Sequence, residues 1–200
     1  TDANDYVVAG AAGVFLDGRQ GNDTFFGGAG DDQFNAGEGN DIVFGGLGRD
    51  HLNGDDGNDQ LHGGDGVDQV NGQSGNDTLF GDAGNDTIFG GTGNDRLTGG
   101  KGADALNGGD GVDTADYRHS DAGVDVSLVR GTGLYGDAQG DTLVFIENLS
   151  GSAFADVLTG DNGANRITGM SGEDKIYGLG GNDYIATGGG YDYVDGGDGI

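Results

Sequence analysis

A carboxylate follows a glycine-rich turn at regular intervals between Gly18 and Asp116. The repeating unit is Gly-Gly-x-Gly-x-Asp-x-U-x, with U usually a large apolar residue, and all eleven consecutive units carry Gly at the fourth position and Asp at the sixth. Such turns expose backbone carbonyls, so each unit offers carbonyl and carboxylate oxygens together. These are the ligands of a hard cation such as calcium, which takes about six to eight oxygens. One turn has too few oxygens to enclose the ion, so two turns must share it.

The candidate metal ligands of these eleven units form two sets. The sixth-position carboxylates are Asp23, Asp32, Asp41, Asp50, Asp59, Asp68, Asp77, Asp86, Asp95, Asp104 and Asp113. The backbone carbonyls expected to complete the sites lie in the turns around Gly28, Gly30, Gly37, Gly39, Gly46, Gly48, Gly57, Gly64, Gly66, Gly75, Gly84, Gly91, Gly93, Gly100, Gly102, Gly109 and Gly111. Aspartates outnumber glutamates by 32 to 3, which favours ligands in tight turns over general acidity, because a tight turn needs the shorter side chain.

Short strands must position these turns. The eighth-position residues are Phe25, Phe34, Val43, Leu52, Leu61, Val70, Leu79, Ile88, Leu97 and Leu106, with only Ala115 small. A lone apolar residue between polar neighbours is typical of a short strand with one side chain pointing inward. Each unit therefore contributes one strand and one turn, whereas a disordered acidic chain would not need an apolar residue at every ninth place.

The motif resembles the calcium-binding repeat of the RTX (repeats-in-toxin) family. The resemblance implies an all-β fold, a right-handed parallel β-roll or β-helix solenoid, with calcium ions between stacked Gly-rich turns. In that family two consecutive units form one coil, and each ion lies between a turn and the turn two units later on the same edge. The ninth position shows the same period of eighteen residues: odd units carry Phe26, Phe44, His62, Phe80 and Thr98, and even units carry Asn35, Asn53, Asn71, Phe89 and Asn107.

The repeat pattern divides the chain into three segments. Residues 1–116 form the first array; its unit from Ala9 to Asp17 has Val14 in the place of Asp, so that coil should lack a proper metal site. Residues 117–141 are an insertion, with a half-buried strand predicted over 124–128 and a Gly-rich loop over 131–140. Residues 142–200 form a second array that stops within a unit, which suggests a fragment of a longer protein.

The second array is less regular than the first. Its sixth-position carboxylates are Asp156, Asp174, Asp183 and Asp192, predicted as further ligands, while Asn165 lacks a charge and Glu147 takes the acidic place of an earlier unit. Phe154 and Ala155 crowd one turn, and the glycine spacing blurs around 188–190. We expect fewer or weaker metal sites here.

Charge and composition exclude several partners. The net charge of −27 with 49 glycines predicts a chain that repels itself and stays unfolded until cations bind. Eight scattered Lys and Arg make no basic patch for nucleic acid. No stretch is apolar enough to span a membrane, residues 1–30 lack the regions of a cleavable signal peptide, and the absence of Cys is compatible with an extracellular protein.

Catalysis has little basis in these residues. His51, His62 and His119 form no zinc-protease motif, and no Gly-x-Ser-x-Gly elbow occurs, so we expect no enzyme site within this sequence. His51 and His62 occupy outward places where solvated side chains are expected. Phe26, Phe44 and Phe80 either stack along one sheet, which we favour, or dock a neighbouring domain or a sugar.

The function expected from the residues and the resemblance is calcium binding coupled to folding. RTX proteins are bacterial and secreted, generally through a type I channel, and cytosolic calcium is too scarce for sites with the affinity of about 10⁻⁴ to 10⁻³ M typical of extracellular modules. The alternatives are a calcium-stabilised C-terminal module that docks the catalytic domain of a secreted protease, lipase or epimerase, or a segment of an RTX adhesin. The module itself does not distinguish these owners.

Overall fold

A computed structural model of the chain describes residues 3–199; residues 1, 2 and 200, the outermost residues of the two predicted arrays, lie outside the described residues. The chain forms an all-β solenoid in which successive strands alternate between two sheets, apart from three consecutive strands over 125–144 that all join one sheet. This confirms the predicted all-β architecture of parallel strands. Both sheets continue from the first array into the second. No helix in the described part of the chain is long and apolar enough to cross a membrane.

The two sheets differ in size and in one local feature. Sheet I has ten strands in the order β1 (Tyr6–Val8), β3 (Thr24–Ala29), β5 (Ile42–Gly48), β7 (Gln60–Gly66), β9 (Thr78–Gly84), β11 (Arg96–Lys101), β13 (Thr114–Asp116), β17 (Asn148–Ser150), β19 (Arg166–Thr168) and β21 (Tyr184–Ala186). Sheet II has twelve strands in the order β2 (Phe15–Asp17), β4 (Gln33–Glu38), β6 (His51–Asp56), β8 (Gln69–Ser74), β10 (Thr87–Gly93), β12 (Ala105–Gly111), β16 (Thr142–Val144), β15 (Thr132–Leu134), β14 (Asp125–Ser127), β18 (Val157–Thr159), β20 (Lys175–Tyr177) and β22 (Tyr193–Asp195). The strands pair in parallel, except where β15 runs antiparallel to β14 and β16.

The strand register follows from the repeat. Val43 pairs with Leu61 and Leu61 with Leu79, each eighteen residues apart, so two nine-residue units make one coil. This spacing confirms the coil that the resemblance implied. Stacking identical positions keeps one residue type in one column through the solenoid.

The core is a column of eighth-position side chains enclosed between the sheets. In the first array these residues, from Phe25 to Ala115, are at most 2% exposed, which confirms their predicted inward orientation. Leu149, Leu158, Ile167 and Ile176 continue the column in the second array, each at most 1% exposed. Burying one such side chain contributes about 1.5–3 kcal/mol, so the column is a major stabilising element.

The insertion is more ordered than the sequence predicts. Strand β14 lies within the predicted strand, with Val124 and Val126 buried, but the predicted loop over 131–140 was wrong in part. That segment contains β15 and a single 3₁₀ turn, η1 (Gly136–Ala138). Residues 132–134 form a strand because the edges of β14 and β16 supply backbone hydrogen-bonding partners. A local sequence pattern does not reveal these tertiary contacts.

Side chains at the start of the insertion anchor it to the solenoid. Tyr117 is 2% exposed and its hydroxyl donates to Asp141 Oδ2 at 3.0 Å. The buried Asp116 accepts hydrogen bonds from Arg118 and Arg96, which lower its pKa even though burial alone would raise it. These contacts give Tyr117 and Arg118 a structural role.

Candidate metal-binding edges

The sixth-position aspartates form two rows, one along each edge where strands turn into the next sheet. We call the row of Asp23, Asp41, Asp59, Asp77, Asp95 and Asp113 the odd edge, and the row of Asp32, Asp50, Asp68, Asp86 and Asp104 the even edge. Every one of these eleven side chains is at most 3% exposed. Buried carboxylates are costly unless paired or hydrogen-bonded, so each oxygen must be accounted for.

One oxygen of each carboxylate is satisfied by the preceding coil. The backbone N–H of Asp41 donates to Asp59 Oδ1 at 2.8 Å, and the N–H of Asp59 donates to Asp77 Oδ1 at 2.8 Å. The same contact, always eighteen residues apart, links Asp50 to Asp68 and Asp68 to Asp86 on the even edge. These bonds fix the carboxylates in register from coil to coil.

The other oxygen has no donor. Within residues 3–199, Oδ2 of all eleven first-array aspartates is buried and accepts no hydrogen bond. In most units it lies against the first-position glycine of its own unit and close to a backbone carbonyl one coil later, whereas the unit of Asp41 has Ala36 at the first position. A Cβ built on Gly63 would lie 2.6 Å from Asp68 Oδ2 and 2.8 Å from the Gly81 carbonyl oxygen. Two oxygens from successive coils therefore converge beside this glycine.

The turn backbone is held in a conformation that favours glycine. At the second position φ is positive even where the residue is not glycine, as at Asp55 (φ 70) and Gln73 (φ 76). At the fourth position a Cβ on Gly57 would overlap the Gly39 carbonyl oxygen, and Gly75 stands in the same relation to Gly57. The invariant fourth-position glycine is therefore required by the close approach of successive turns.

Burial and like charge act together on these carboxylates. Burial raises the pKa of Asp59 to about 7, the backbone hydrogen bond from Asp41 opposes this, and the Asp77 and Asp41 carboxylates add to the rise. Burial likewise raises the pKa of Asp86 to about 7 and that of Asp50 to about 6. The rows thus concentrate negative charge where water is excluded.

These features fit calcium. An oxygen without a donor beside a converging carbonyl is an environment that a hard cation satisfies. Among the described residues no three His, Cys, Asp or Glu side chains converge to hold a metal by themselves, so backbone carbonyls must supply part of the shell.

The structure adds Asp141 to the even edge and places Glu147 on the odd edge, at the acidic position that the sequence predicts for it. Asp104 N–H donates to Asp141 Oδ1 at 2.9 Å, and Asp113 N–H donates to Glu147 Oε2 at 2.8 Å. Asp141 was assigned to the insertion, although Asp141-Thr142-Leu143 repeats the spacing of Asp77-Thr78-Leu79. That three-residue match could have indicated the position of Asp141, but the regular glycine spacing that marks a repeat unit is missing before it. Burial raises the pKa of Asp141 to about 7.

In two turns of the second array the protein itself satisfies the buried sixth-position side chain. Asp156 Oδ2 accepts from Ser152 N at 2.7 Å, and its Oδ1 accepts from the Ser152 hydroxyl at 2.7 Å and from Val124 N at 2.8 Å. Asn165 Oδ1 accepts from Asp161 N at 2.8 Å, while its amide donates to the Glu147 carbonyl at 2.8 Å. The predicted ligand Asp156 therefore has both oxygens satisfied by the protein.

Further along, the second array returns to the first-array arrangement. Oδ2 of Asp174 and of Asp183 is again buried without a hydrogen bond from any described residue. The second position is again left-handed at Met170 (φ 74) and Leu179 (φ 74), and also at Gly188 (φ 87), within the irregular glycine run over 188–190. Asp192 Oδ1 accepts from Asp174 N at 3.1 Å in a more open turn. The irregularity of this array is thus concentrated in residues 151–165.

The remaining candidate residues lie away from the edges. Phe26, Phe44, His62 and Phe80 stack along sheet I, with ring centroids 4.9, 4.7 and 4.3 Å apart in that order. The predicted stacking is present, and it includes His62, whose side chain is only 19% exposed rather than fully solvated. His51 is half-buried and His119 is exposed. At Val14 the backbone N–H donates to Asp32 Oδ1, but Val14 brings no carboxylate.

Comparison with known families gives one match. The sequence model described as the RTX calcium-binding nonapeptide repeat (4 copies) matches residues 1–34, 17–52, 44–79, 80–115, 145–176 and 168–200. These matches leave only residues 116–144, the insertion and its borders, uncovered. The sequence matches no curated protein.

Proposed function

The chain belongs to the RTX calcium-binding nonapeptide repeat family, and on this basis we propose that calcium binds along both edges of the β-roll and drives its folding. An RTX β-roll is a structural calcium-binding module. The residues proposed as ligands are the eleven first-array aspartates together with Asp174, Asp183 and Asp192, and backbone carbonyls of the turns that follow one coil later. Asp156 is left out because Ser152 and Val124 satisfy its carboxylate.

The observation that carries this proposal is the row of buried Oδ2 atoms without donors. Calcium supplies positive charge and accepts several oxygen ligands at once. The protein's own residues hold the two sides of each site in register: the Oδ1 hydrogen bonds fix the carboxylates, and the first-position glycines leave room between coils.

Coupling to folding follows from the electrostatics. Without cations, the stacked coils place like charges in successive buried positions, so folding has to overcome desolvation and repulsion. The net charge of −27 opposes compaction further. The unfolded chain has neither cost, so calcium shifts the balance toward the folded state by binding it selectively.

We further propose that this module belongs to a bacterial protein that folds after secretion. Sites with affinities of about 10⁻⁴ to 10⁻³ M would stay empty in the cytosol and fill outside the cell. The chain contains no Pro, so no slow prolyl isomerisation delays folding on exit.

Calcium titration followed by circular dichroism tests the proposal. We expect a cooperative change from a largely disordered chain to a β-rich one, because neighbouring sites share turns. Magnesium should not replace calcium, since it demands a smaller octahedral shell and loses water reluctantly. Identical spectra in chelator and in millimolar calcium would refute the coupling of calcium to folding.

A further inference from the structure

The two edges differ at the residue that precedes each sixth-position aspartate. At this fifth position every odd unit of the first array except the last carries asparagine, and Asn4 holds the same place one coil earlier. We call the resulting row the asparagine ladder; it consists of Asn4, Asn22, Asn40, Asn58, Asn76 and Asn94. On the even edge the fifth position is irregular and carries Asp31, Arg49, Val67, Asn85 and Ala103.

Each ladder side chain joins two successive turns. The backbone N–H of Asn58 donates to Asn40 Oδ1 at 2.8 Å, and the N–H of Asn76 donates to Asn58 Oδ1 at 2.6 Å. The same contact recurs at every coil from Asn4 to Val112. Each of these turns on the odd edge is therefore bonded to its neighbour through a neutral side chain, with no metal in between.

The ladder bonds run opposite to those of the aspartates. The N–H of Asn58 donates to the preceding coil, whereas the N–H of Asp59 donates to Asp77 Oδ1 in the following coil. Two adjacent residues thus attach one turn to both of its neighbours. An ion can bridge successive turns only if their oxygens lie at a fixed spacing. This double attachment maintains that spacing beside the Asp59 Oδ2 atom, which has no donor among residues 3–199.

The even edge lacks the ladder bond at its centre. At its two ends, Asp31 Oδ1 accepts from the Arg49 N–H and Asn85 Oδ1 accepts from the Ala103 N–H, each at 2.9 Å. The side chains of Arg49 and Val67 contain no oxygen and cannot accept a hydrogen bond. The N–H groups of Val67 and Asn85 therefore receive no ladder bond, and two successive steps of the row are missing.

A groove opens at the same place. Its volume is about 340 Å³, and Arg49, Asp50, Val67 and Asp68 are among the residues that line it. The carboxylates of Asp50 and Asp68 are held by the N–H bonds of their own row, but the turns around them have no second attachment. The centre of the even edge is therefore the less constrained of the two ligand environments.

We propose that the asparagine ladder makes calcium fill the odd edge before the centre of the even edge. This inference rests on the proposed binding of calcium along both edges. A turn that is already fixed in its binding geometry loses little conformational entropy when an ion arrives, whereas a loosely held turn must be ordered at the expense of affinity. The ladder asparagines are thus positioning residues, which set the order of binding without being ligands themselves.

NMR can follow the two edges separately during a calcium titration. In the folded population we expect the amide signals of Asp59 and Asp77 to reach their final positions at a calcium concentration about threefold to tenfold below that for Asp50 and Asp68, the scale of one hydrogen bond. Amide hydrogen exchange at subsaturating calcium should show the same order, with slower exchange at Asp59 than at Asp68.

Variants at Val67 assign the order to the ladder. Val67→Asn supplies an oxygen for the Asn85 N–H, so the Asp68 signal should saturate at a calcium concentration about threefold lower than in the parent chain. Val67→Ala changes the same side chain without adding an acceptor and is the matched control, in which no such decrease is expected.

Variants at Asn58 test the odd edge. Asn58→Ala removes the acceptor of the Asn76 N–H and should raise the calcium concentration at which the Asp59 and Asp77 signals saturate by about threefold. Asn58→Asp retains an oxygen, as Asp31 does on the even edge, and should raise it less. Circular dichroism in saturating calcium checks the fold of each variant, and if Asn58→Ala does not fold, Val67→Asn decides.

Two results would overturn the proposed order and leave calcium-driven folding intact. One is saturation of Asp59 and Asp68 at the same calcium concentration, or of Asp68 first, in the parent chain. The other is an equal response of Val67→Asn and Val67→Ala, which would show that the missing ladder bond is not the cause. Spectra that do not change with calcium at either edge would instead refute the calcium binding on which the order depends.

Discussion

The turns that end in Asp59 and in Asn165 occupy equivalent places on the odd edge of the solenoid, but they satisfy their buried side chains differently. Asp59 Oδ2 lies against Gly54 with no donor among residues 3–199. Asn165 Oδ1 lies against Gly160 in the same way, yet it accepts a hydrogen bond from Asp161 N at 2.8 Å. The protein supplies at Asn165 what a cation is proposed to supply at Asp59.

The difference arises at the second residue of the turn. That residue has positive φ at Asp55, before Asp59, and at Arg19, Gln73 and Asp82. Ser152 and Asp161 hold the same position without positive φ, and their N–H groups point at the carboxylate or amide oxygen. A left-handed second residue therefore leaves the oxygen without a donor. With an ordinary backbone at this position, the N–H of the second residue bonds to the oxygen, and we call such a turn closed.

The largest expected effect is that of pH on stability, because it acts on all the aspartates whose Oδ2 atom has no hydrogen-bond donor. In the calcium-free fold, burial raises the pKa of Asp59 and Asp86 to about 7 and that of Asp50, Asp77 and Asp113 to about 6, all from a usual value of 3.8. A raised folded-state pKa gives stability that is complete below about pH 3.8 and is lost as the pH rises through about 6 to 7.

We therefore expect the chain in chelator to gain β-structure on acidification from about pH 8 to about pH 4.5, where these carboxylates become neutral in the folded state. Circular dichroism across this range, with saturating calcium as a parallel series, measures the effect. A calcium-free chain that is more ordered at the higher pH would contradict the electrostatic account.

Next in size is the loss of one charged ligand. Asp59 lies between the coils of Asp41 and Asp77, so Asp59→Ala should weaken two neighbouring sites and cost at least about 1.5–3 kcal/mol in calcium. Asn165→Ala should shift the calcium midpoint much less. This substitution removes hydrogen bonds that the Asn165 side chain forms whether or not calcium is bound, so its destabilising effect should be the same at every calcium concentration. Calcium-titrated unfolding compares them, and equal midpoint shifts would show that both turns depend on metal alike.

The turn that ends in Asn165 can also be changed so that it resembles the turn that ends in Asp59. Asp161→Gly combined with Asn165→Asp restores the glycine and the carboxylate of the regular repeat. We expect this double variant to lose about 1–3 kcal/mol in low calcium, since the buried amide donor is gone, and to regain stability as calcium rises. The parent chain and Asn165→Asp alone serve as controls. No increase in calcium dependence would mean that other features keep this turn closed.

The smallest effect is expected at Ser152. Its hydroxyl donates to Asp156 Oδ1 at 2.7 Å, so Ser152→Ala should cost about 1 kcal/mol at low and high calcium alike. Ser171→Ala, at an exposed position of a later turn, is the control and should change stability little. Chemical denaturation at two calcium concentrations measures both, and a loss confined to low calcium would argue that calcium can take the place of the hydroxyl at this turn.

The sequence by itself determined the repeating part of this protein. An apolar residue at the eighth position and a glycine at the fourth position of each nine-residue unit specify one inward side chain and one tight turn per unit, and both are local requirements. The buried column from Phe25 to Leu106 and the two rows of aspartates follow directly from that spacing. The ring column of Phe26, Phe44 and Phe80 also follows, because residues eighteen apart stack.

Only the tertiary structure decided how the pattern is resumed after the insertion. Leu106 pairs with Leu143 and Ala115 with Leu149, at separations that no fixed period predicts. This pairing places Asp141 on the even edge and gives β15 its partners. Likewise, the closed turns at Ser152 and Asp161 depend on whether a backbone N–H or a left-handed residue faces the buried oxygen. Such contacts are set by the docking of distant segments, which local residue spacing does not encode.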